Sequence, residues 1–437
     1  MTKQSGTLQS INLLLTNPYG RAGSLFIHSL FDSHPNILTL PRCGMLYSFL
    51  PENINSSDLE RQIDAFIKRC PGIFDTSKEY FGNFSGLVTG KFGINGDEEL
   101  LLDSVEFKEK FLNMAKEELS ENERLSRKDF FTLIHIAYGL CIRSFDISQS
   151  KYIFYHPHSD DEWNLLIADF PDLYFIAMTR DPRQEWTSWK KIHALRMGRN
   201  ASNIPRISLF LTEYYYSNSC YILINLVEKL KADHIRVIDL ESFHVMNKAA
   251  MSHLCSWLGL EFDDILMNST FNGQRWYGNA TNLAKASSFN PEIKRAAWLG
   301  ELSTLEIDII NRLVPGSISY LNYEVNIGEY FNGSFETVHN DVKYDSKLLL
   351  AIHCFLNVSG NPLLVFPGIE SNYPMVKRVG RGIRNVLKMG RTVPISIKLY
   401  RKLKGESLNT LLNTMASNER RLLSGKLPPQ LFIEYYA

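Results

Sequence analysis

Hydrophobic residues near the start of the chain form a short unbroken run, and the pattern then changes to helical spacing. The run spans residues 11–15 and is typical of a strand that is buried on both faces of a parallel sheet. Apolar residues recur at helical spacing from Leu25 to Phe31, and Pro35 favours a helix that ends near Asp32. The sequence therefore predicts a strand, a tight loop and a helix within residues 11–35.

The same alternation of strands and helices returns in the middle of the chain. Buried strands are predicted over 152–155, 174–178 and 235–240. Helices are predicted over 57–68, 105–119, 160–167, 208–230, 247–258 and about 302–313, and residues 74–92 are predicted to form a loop. Strands separated by helices indicate an α/β fold with a central parallel sheet. Because ligands bind at the carboxyl ends of such strands, we expect Thr16, Tyr155 and Met178 to converge.

The loop after the first predicted strand has residue types that bind anions. Gly20 and Gly23 permit a tight turn, and Arg21 between them is a charged hydrogen-bond donor. Free amides at the start of a helix bind anions, although a turn without a ligand explains the two glycines equally well. The common nucleotide loop, GxxxxGK[ST], does not occur in this stretch.

Composition narrows the class of protein. The 437 residues are 44% hydrophobic and 22% charged, and 47 basic residues balance 47 acidic ones, which gives no support for binding to nucleic acid. Six scattered cysteines without zinc spacing indicate free thiols in a reducing compartment and no metal site. With no apolar leader and no long apolar run, the sequence predicts a cytoplasmic protein.

Residues 17–35 resemble the 5′-phosphosulfate loop of the sulfotransferases that use 3′-phosphoadenosine 5′-phosphosulfate (PAPS). Arg21, Gly23 and Ser24 match that pattern, and the helix closes on the Asp-Ser-His-Pro sequence that is frequent in the family. Ala22 and Leu25 stand where the family usually has hydroxyl side chains. Their backbone amides would have to replace those contacts.

A second stretch, residues 170–188, resembles the family's 3′-phosphate motif. Arg180 and Ser188, eight residues apart, fall on its two phosphate ligands. Residues 240–260 and 271–324 are similar to later family segments, so the resemblance covers about residues 8–326. It implies a catalytic domain over 8–326 with a three-layer, P-loop-like sulfotransferase fold, followed by an appendage over 327–437.

The resemblance also implies a chemistry. The family transfers a sulfonyl group in line from PAPS, without a metal, to a hydroxyl or amine of a carbohydrate, a lipid or a small metabolite. Arg21 would stabilise the departing nucleotide. The residues implied in nucleotide binding are Gly20, Arg21, Ala22, Gly23, Ser24, Leu25, Arg180 and Ser188.

The base that such a transfer needs is predicted to be His156, which ends the strand before the 3′-phosphate motif; His158 is the alternative. Packing is the preferred interpretation for His28, Trp186 and Trp189, and a weak local ion pair for Asp181 with Arg183. Two rival functions stay open: a catalytically degenerate member that binds a nucleotide or glycan, and, with less support, a P-loop kinase.

The last hundred residues match no part of the family. Residues 375–404 contain ten Lys or Arg and no acid, with apolar residues between them. One interpretation is a surface for an anionic membrane or an acidic polymer. The other, which we favour, is a solvated basic face, because Gly380, Gly382, Gly390 and Pro394 interrupt a long amphipathic helix. The sequence does not indicate an oligomeric state.

Overall fold

A computed structural model describes most of the chain up to residue 311. The described residues are 10–16, 21–41, 46–77, 92–121, 124–142, 146–157, 160–196, 229–277, 288–290, 293, 297–302, 306–307 and 310–311. They belong to two compact units. Described residues up to Thr179 and between 229 and 293 form the first unit, and those from Arg180 to 196 and from 297 to 311 form the second.

The described strands of the first unit include a five-stranded parallel sheet with the order β2-β5-β1-β6-β7. Two small antiparallel pairs, β3 with β4 and β8 with β9, lie outside it. The strands are β1 (Asn12–Thr16), β2 (Ile37–Leu38), β3 (Asn53–Asn55), β4 (Arg124–Ser126), β5 (Tyr152–Tyr155), β6 (Tyr174–Thr179), β7 (Ile235–Asp239), β8 (Thr270–Phe271) and β9 (Gln274–Arg275).

Helices cover both faces of this sheet. In chain order, the described helices of the two units are α1 (Ser24–Phe31), α2 (Leu59–Arg69), α3 (Pro71–Phe74), α4 (Ser104–Glu121), α5 (Arg127–Ile142), α6 (Asp160–Asp169), α7 (Pro182–Arg196) and α8 (Leu240–Leu258), of which α7 belongs to the second unit. On one face, α1 and α8 share a buried apolar cluster with Phe154, Ile176 and Met178. On the other face, Trp163 of α6 packs edge to face on Phe175. The predicted α/β class, with a parallel sheet between helices, is confirmed.

The strands of the sheet lie close to their predicted positions because their apolar runs are local signals. Strand β5 has the predicted bounds, and β1, β6 and β7 differ by one residue at their ends. The prediction for α8 was wrong at its start, because this helix begins at Leu240 rather than near Asn247. Asp239 caps the helix by accepting hydrogen bonds from the Ser242 backbone amide and hydroxyl. The helix is kinked at Asn247, so the regular pattern in the sequence begins only after the kink.

The second unit contains α7 and short described pieces of a later segment. Trp298 is fully buried in this unit, and Ile307 and Ile310 are buried as well. Trp186 of α7 donates from Nε1 to Glu306 Oε1 at 3.2 Å, and Lys191 pairs with Glu301 at 2.8 Å. These contacts tie the later segment to α7.

Several predictions concern residues that the structure does not describe. They include the helix over 208–230, the centre of the loop over 74–92, the appendage over 327–437 and the basic stretch 375–404. The division into 8–326 and 327–437 therefore stays a prediction. Within the described part of the chain, no helix is both long and apolar enough to cross a membrane.

Candidate functional site

The turn into α1 requires glycine at position 23. Gly23 has φ +93°, a conformation that side chains with a Cβ atom rarely adopt. A Cβ atom there would also lie 2.5 Å from Cδ1 of Leu240, the first residue of α8. Arg21, with φ +54°, completes the reversal of the chain, and Ala22 is fully buried. The backbone thus turns sharply at the carboxyl side of β1, as the glycine pattern predicted.

Gly23 also leaves the start of α1 without a side-chain cap. A cap residue with an oxygen would bind the first amides of the helix, and glycine has none. The Gly23 carbonyl accepts from the Ile27 amide, so the ladder of helical hydrogen bonds begins there. The amides of the first turn, in residues 24–26, are the type of group that binds a phosphate or sulfate oxygen.

Two of the implied ligands in this turn contribute their backbone only. Ala22 has no polar side-chain atom. Leu25 packs against a small apolar cluster that contains Phe92, Leu100, Phe271 and Trp276. Gly20, the first residue of the implied set, and His158 lie outside the described residues. The polar side chains of the set in this unit are therefore Arg21 and Ser24, both partly exposed.

His156 directly follows β5 and is 2% exposed. Side chains alternate along a strand, so His156 shares a face with Phe154. Phe154 packs on His28 and Phe31 of α1, with ring centroids 4.9 and 5.3 Å apart. Two strand residues advance about 6.6 Å and four helical residues about 6 Å. His156 is therefore expected near the level of Ser24, beside the first turn of α1.

His28 is a packing residue, as predicted. Its ring is fully buried between Phe154 and Phe271, and neither ring nitrogen has a hydrogen-bond partner among the described residues. Burial, together with the nearby His135, lowers the pKa of His28 to about 3. The imidazole is therefore neutral at physiological pH.

A buried carboxylate that contacts the end of β5 was missed by the sequence analysis. Glu162 of α6 is fully buried and accepts a hydrogen bond from the Tyr155 hydroxyl at 2.6 Å and from the Tyr47 amide at 2.7 Å. Tyr155 in turn accepts from the Leu46 amide at 2.9 Å. The partner segment is 115 residues away, so no local pattern indicates the contact.

In the second unit, Arg180 and Ser188 lie on either side of the first turns of α7. Arg180 comes directly after the last residue of β6, and Ser188 lies within the helix; both are partly exposed. An arginine before a helix and a hydroxyl on that helix are residue types that bind a phosphate. The structure describes both positions, and their predicted role stays a prediction.

Asp181 and Arg183 form a buried pair with two parallel hydrogen bonds. Both side chains are 1% exposed, and the guanidinium grips the carboxylate with Nε to Oδ1 at 2.9 Å and Nη2 to Oδ2 at 2.9 Å. The prediction of a weak local pair assumed exposure to solvent, whereas the pair is desolvated. Trp186 is buried, as predicted, and the side chain of Trp189 lies outside the described residues.

Binding of a metal ion would need a cluster of ligand side chains in the described part of the chain. Among those residues, no group of three or more His, Cys, Asp or Glu side chains is arranged to hold an ion. Burial raises the pKa of Cys141 and of Cys255 to about 11. These two thiols are therefore protonated at neutral pH.

No protein-family model and no curated protein matches this chain. Among solved structures, it is similar to the sulfotransferase domain of an olefin synthase from Synechococcus, with 14% identity, a TM-score of 0.40 and coverage of 72% of this chain and 97% of that one. A sulfotransferase domain of the curacin biosynthetic pathway is 13% identical, with a TM-score of 0.38 and coverage of 72% of this chain and 99% of that one. A sulfotransferase from Mycobacterium avium is 12% identical, with a TM-score of 0.33 and coverage of 60% of this chain and 67% of that one.

Proposed function

We propose that this chain is a PAPS-dependent sulfotransferase that transfers a sulfonyl group to a hydroxyl or amine. One observation carries the proposal. The neighbouring parallel strands β1 and β6 each continue, at their carboxyl ends, into an element suited to an anion. After β1 this is the Gly23 turn with the first amides of α1, and after β6 it is Arg180 before α7. A nucleotide with phosphates on both sides of its ribose needs two such elements.

The residues of the first unit then have distinct roles. Arg21 and the amides of residues 22–25 hold the 5′-phosphosulfate and stabilise the charge that builds on the oxygen between phosphorus and sulfur. Ser24 contributes a hydroxyl donor. Arg180 and Ser188 hold the 3′-phosphate. The absence of hydroxyls at Ala22 and Leu25 gives backbone amides a larger share of the binding than in relatives with hydroxyls at these positions.

His156 acts as the general base. It removes the proton from the acceptor hydroxyl as the acceptor oxygen attacks sulfur, so that one sulfur–oxygen bond forms while the bond to the leaving nucleotide breaks. His158 is the alternative base. The acceptor is a carbohydrate, a lipid or a small metabolite.

Calorimetric titration tests the nucleotide site. The protein should bind 3′-phosphoadenosine 5′-phosphate without added metal, and Arg180→Ala should abolish the binding. Arg61→Gln is the control, because Arg61 is an exposed arginine that pairs with Asp58 on the surface. Binding of Mg-ATP alone would favour a kinase and contradict the proposal.

Turnover with labelled PAPS and an acceptor panel tests the chemistry. His156→Ala should lower turnover by about 100-fold while nucleotide affinity stays within a factor of two. Equal losses of both would remove His156 as the base. Tight nucleotide binding without transfer to any acceptor would instead support the degenerate binding protein.

A further inference from the structure

The N-terminus of α7 is organised around the buried Asp181 carboxylate. Asp181 precedes Pro182, the first residue of the helix, and its Oδ1 accepts from the Arg183 amide at 2.8 Å. Its carbonyl accepts from the Gln184 and Glu185 amides, both at 2.9 Å. Aspartate as the cap and proline as the next residue are a favoured way to start a helix. These hydrogen bonds fix the backbone at Asp181, the residue that directly follows Arg180.

The same carboxylate is saturated by side-chain donors. Arg183 donates from Nε to Oδ1 and from Nη2 to Oδ2, and its Nε also lies 3.2 Å from Oδ2. The Trp298 indole Nε1 donates to Oδ2 at 3.0 Å. A carboxylate has about four acceptor sites, and donors surround both oxygens here. The Asp181–Arg183 pair is also neutral overall, so an acidic residue beside Arg180 adds little repulsion for a bound phosphate.

Trp298 is the distant member of this cluster. It lies 117 residues from Asp181 in the sequence and is fully buried. The Arg183 guanidinium stacks over its ring at 4.3 Å, which combines a cation–π contact with the hydrogen bond to Asp181. The Trp298 carbonyl accepts from the Glu301 and Leu302 amides, so the tryptophan sits in a local turn.

We infer that Asp181, Arg183 and Trp298 form a clamp that positions Arg180 and Ser188 for the 3′-phosphate of the nucleotide; this rests on the proposed function. The three clamp residues are positioning residues and do not touch the nucleotide. The clamp fixes the backbone next to Arg180 and the first turn of the helix that carries Ser188. Because Trp298 is essential to it, the later segment takes part in recognising the 3′-phosphate.

The variant Trp298→Phe tests the clamp, because it keeps an aromatic ring under Arg183 and removes only the indole donor. Trp186→Phe is the matched control: Trp186 is another buried tryptophan of the unit, and its indole Nε1 donates to Glu306. Calorimetry should compare 3′-phosphoadenosine 5′-phosphate with adenosine 5′-phosphate for each protein. The ratio of the two affinities reports the 3′-phosphate contact, and general destabilisation does not change it.

We expect Trp298→Phe to reduce this ratio by about tenfold and Trp186→Phe to leave it within a factor of two. If Trp298→Phe does not fold, Arg183→Lys keeps the charge but loses the fork and should reduce the ratio in the same way. A ratio that falls with Arg180→Ala but not with the clamp variants would overturn the clamp alone. A wild-type protein that shows no preference for the 3′-phosphate would overturn the proposed function, and the clamp with it.

Discussion

Replacing His28 with leucine should leave the protein at least as stable at neutral pH and make it more resistant to acid. His28 is fully buried, and within the part of the chain that the structure describes neither of its ring nitrogens forms a hydrogen bond. A buried polar group without a partner is unfavourable, so the imidazole contributes only its packing on Phe154 and Phe271. Leucine has a similar volume and preserves most of that packing. We expect a change within about 1 kcal/mol at pH 7.5.

The pH dependence follows from the lowered pKa values. Burial lowers the pKa of His28 from 6.5 to about 3, and burial also lowers that of His135 to about 4. As the pH falls below 6.5, the unfolded chain binds protons that the folded protein does not, so stability decreases between pH 6.5 and about 3 to 4. At pH 5 each histidine lowers the free energy of unfolding by about 2 kcal/mol, because each pH unit below 6.5 costs about 1.36 kcal/mol and pH 5 lies about 1.5 units lower. Removing His28 should recover about 2 kcal/mol there.

Urea denaturation of the wild-type protein and His28→Leu at pH 7.5 and pH 5 measures the effect. His34→Leu is the control for loss of a buried imidazole that does have partners. His34 Nδ1 accepts from the Asn36 amide at 3.2 Å, and Nε2 donates to the Glu261 carbonyl at 3.1 Å. This control should lose about 1 to 3 kcal/mol at pH 7.5. A difference between the wild-type protein and His28→Leu that is the same at both pH values would refute the reasoning.

Two further substitutions test the turn and the end of α1. Gly23→Ala should destabilise the protein by about 1 to 3 kcal/mol, because it adds a Cβ atom at positive φ and against Leu240. Combining it with Leu240→Ala should remove only the steric part of this loss. Thermal unfolding of Gly23→Ala, Leu240→Ala and the double variant measures both parts. Asp32→Ala should cost about 2 to 4 kcal/mol, because its carboxylate accepts from Thr39, Thr270 and the Gly273 amide. Hydrogen exchange at Gly273 should become faster, and an unchanged rate would contradict the assigned contact.

The main elements of the fold could be predicted because their signals are local. The apolar runs of β1, β5 and β6 need only a few consecutive residues, and the turn at Gly23 needs only a glycine. Gly259 ends α8 with φ +63°, a conformation that glycine adopts readily. Two-residue strands such as β2 contain too few residues for a pattern. They form because a neighbouring strand is already in place.

Burial and distant pairing were decided only by the tertiary structure. Asp181 and Arg183 are two residues apart, and the sequence alone favours a weak pair at the surface. Trp298, 117 residues later, contacts the pair in the folded protein, where both side chains are buried. In the same way, Glu162 becomes a buried acceptor because the chain near Tyr47 lies against it. Local sequence sets which groups can donate and accept hydrogen bonds, and the tertiary structure decides which of them meet and which lose their contact with water.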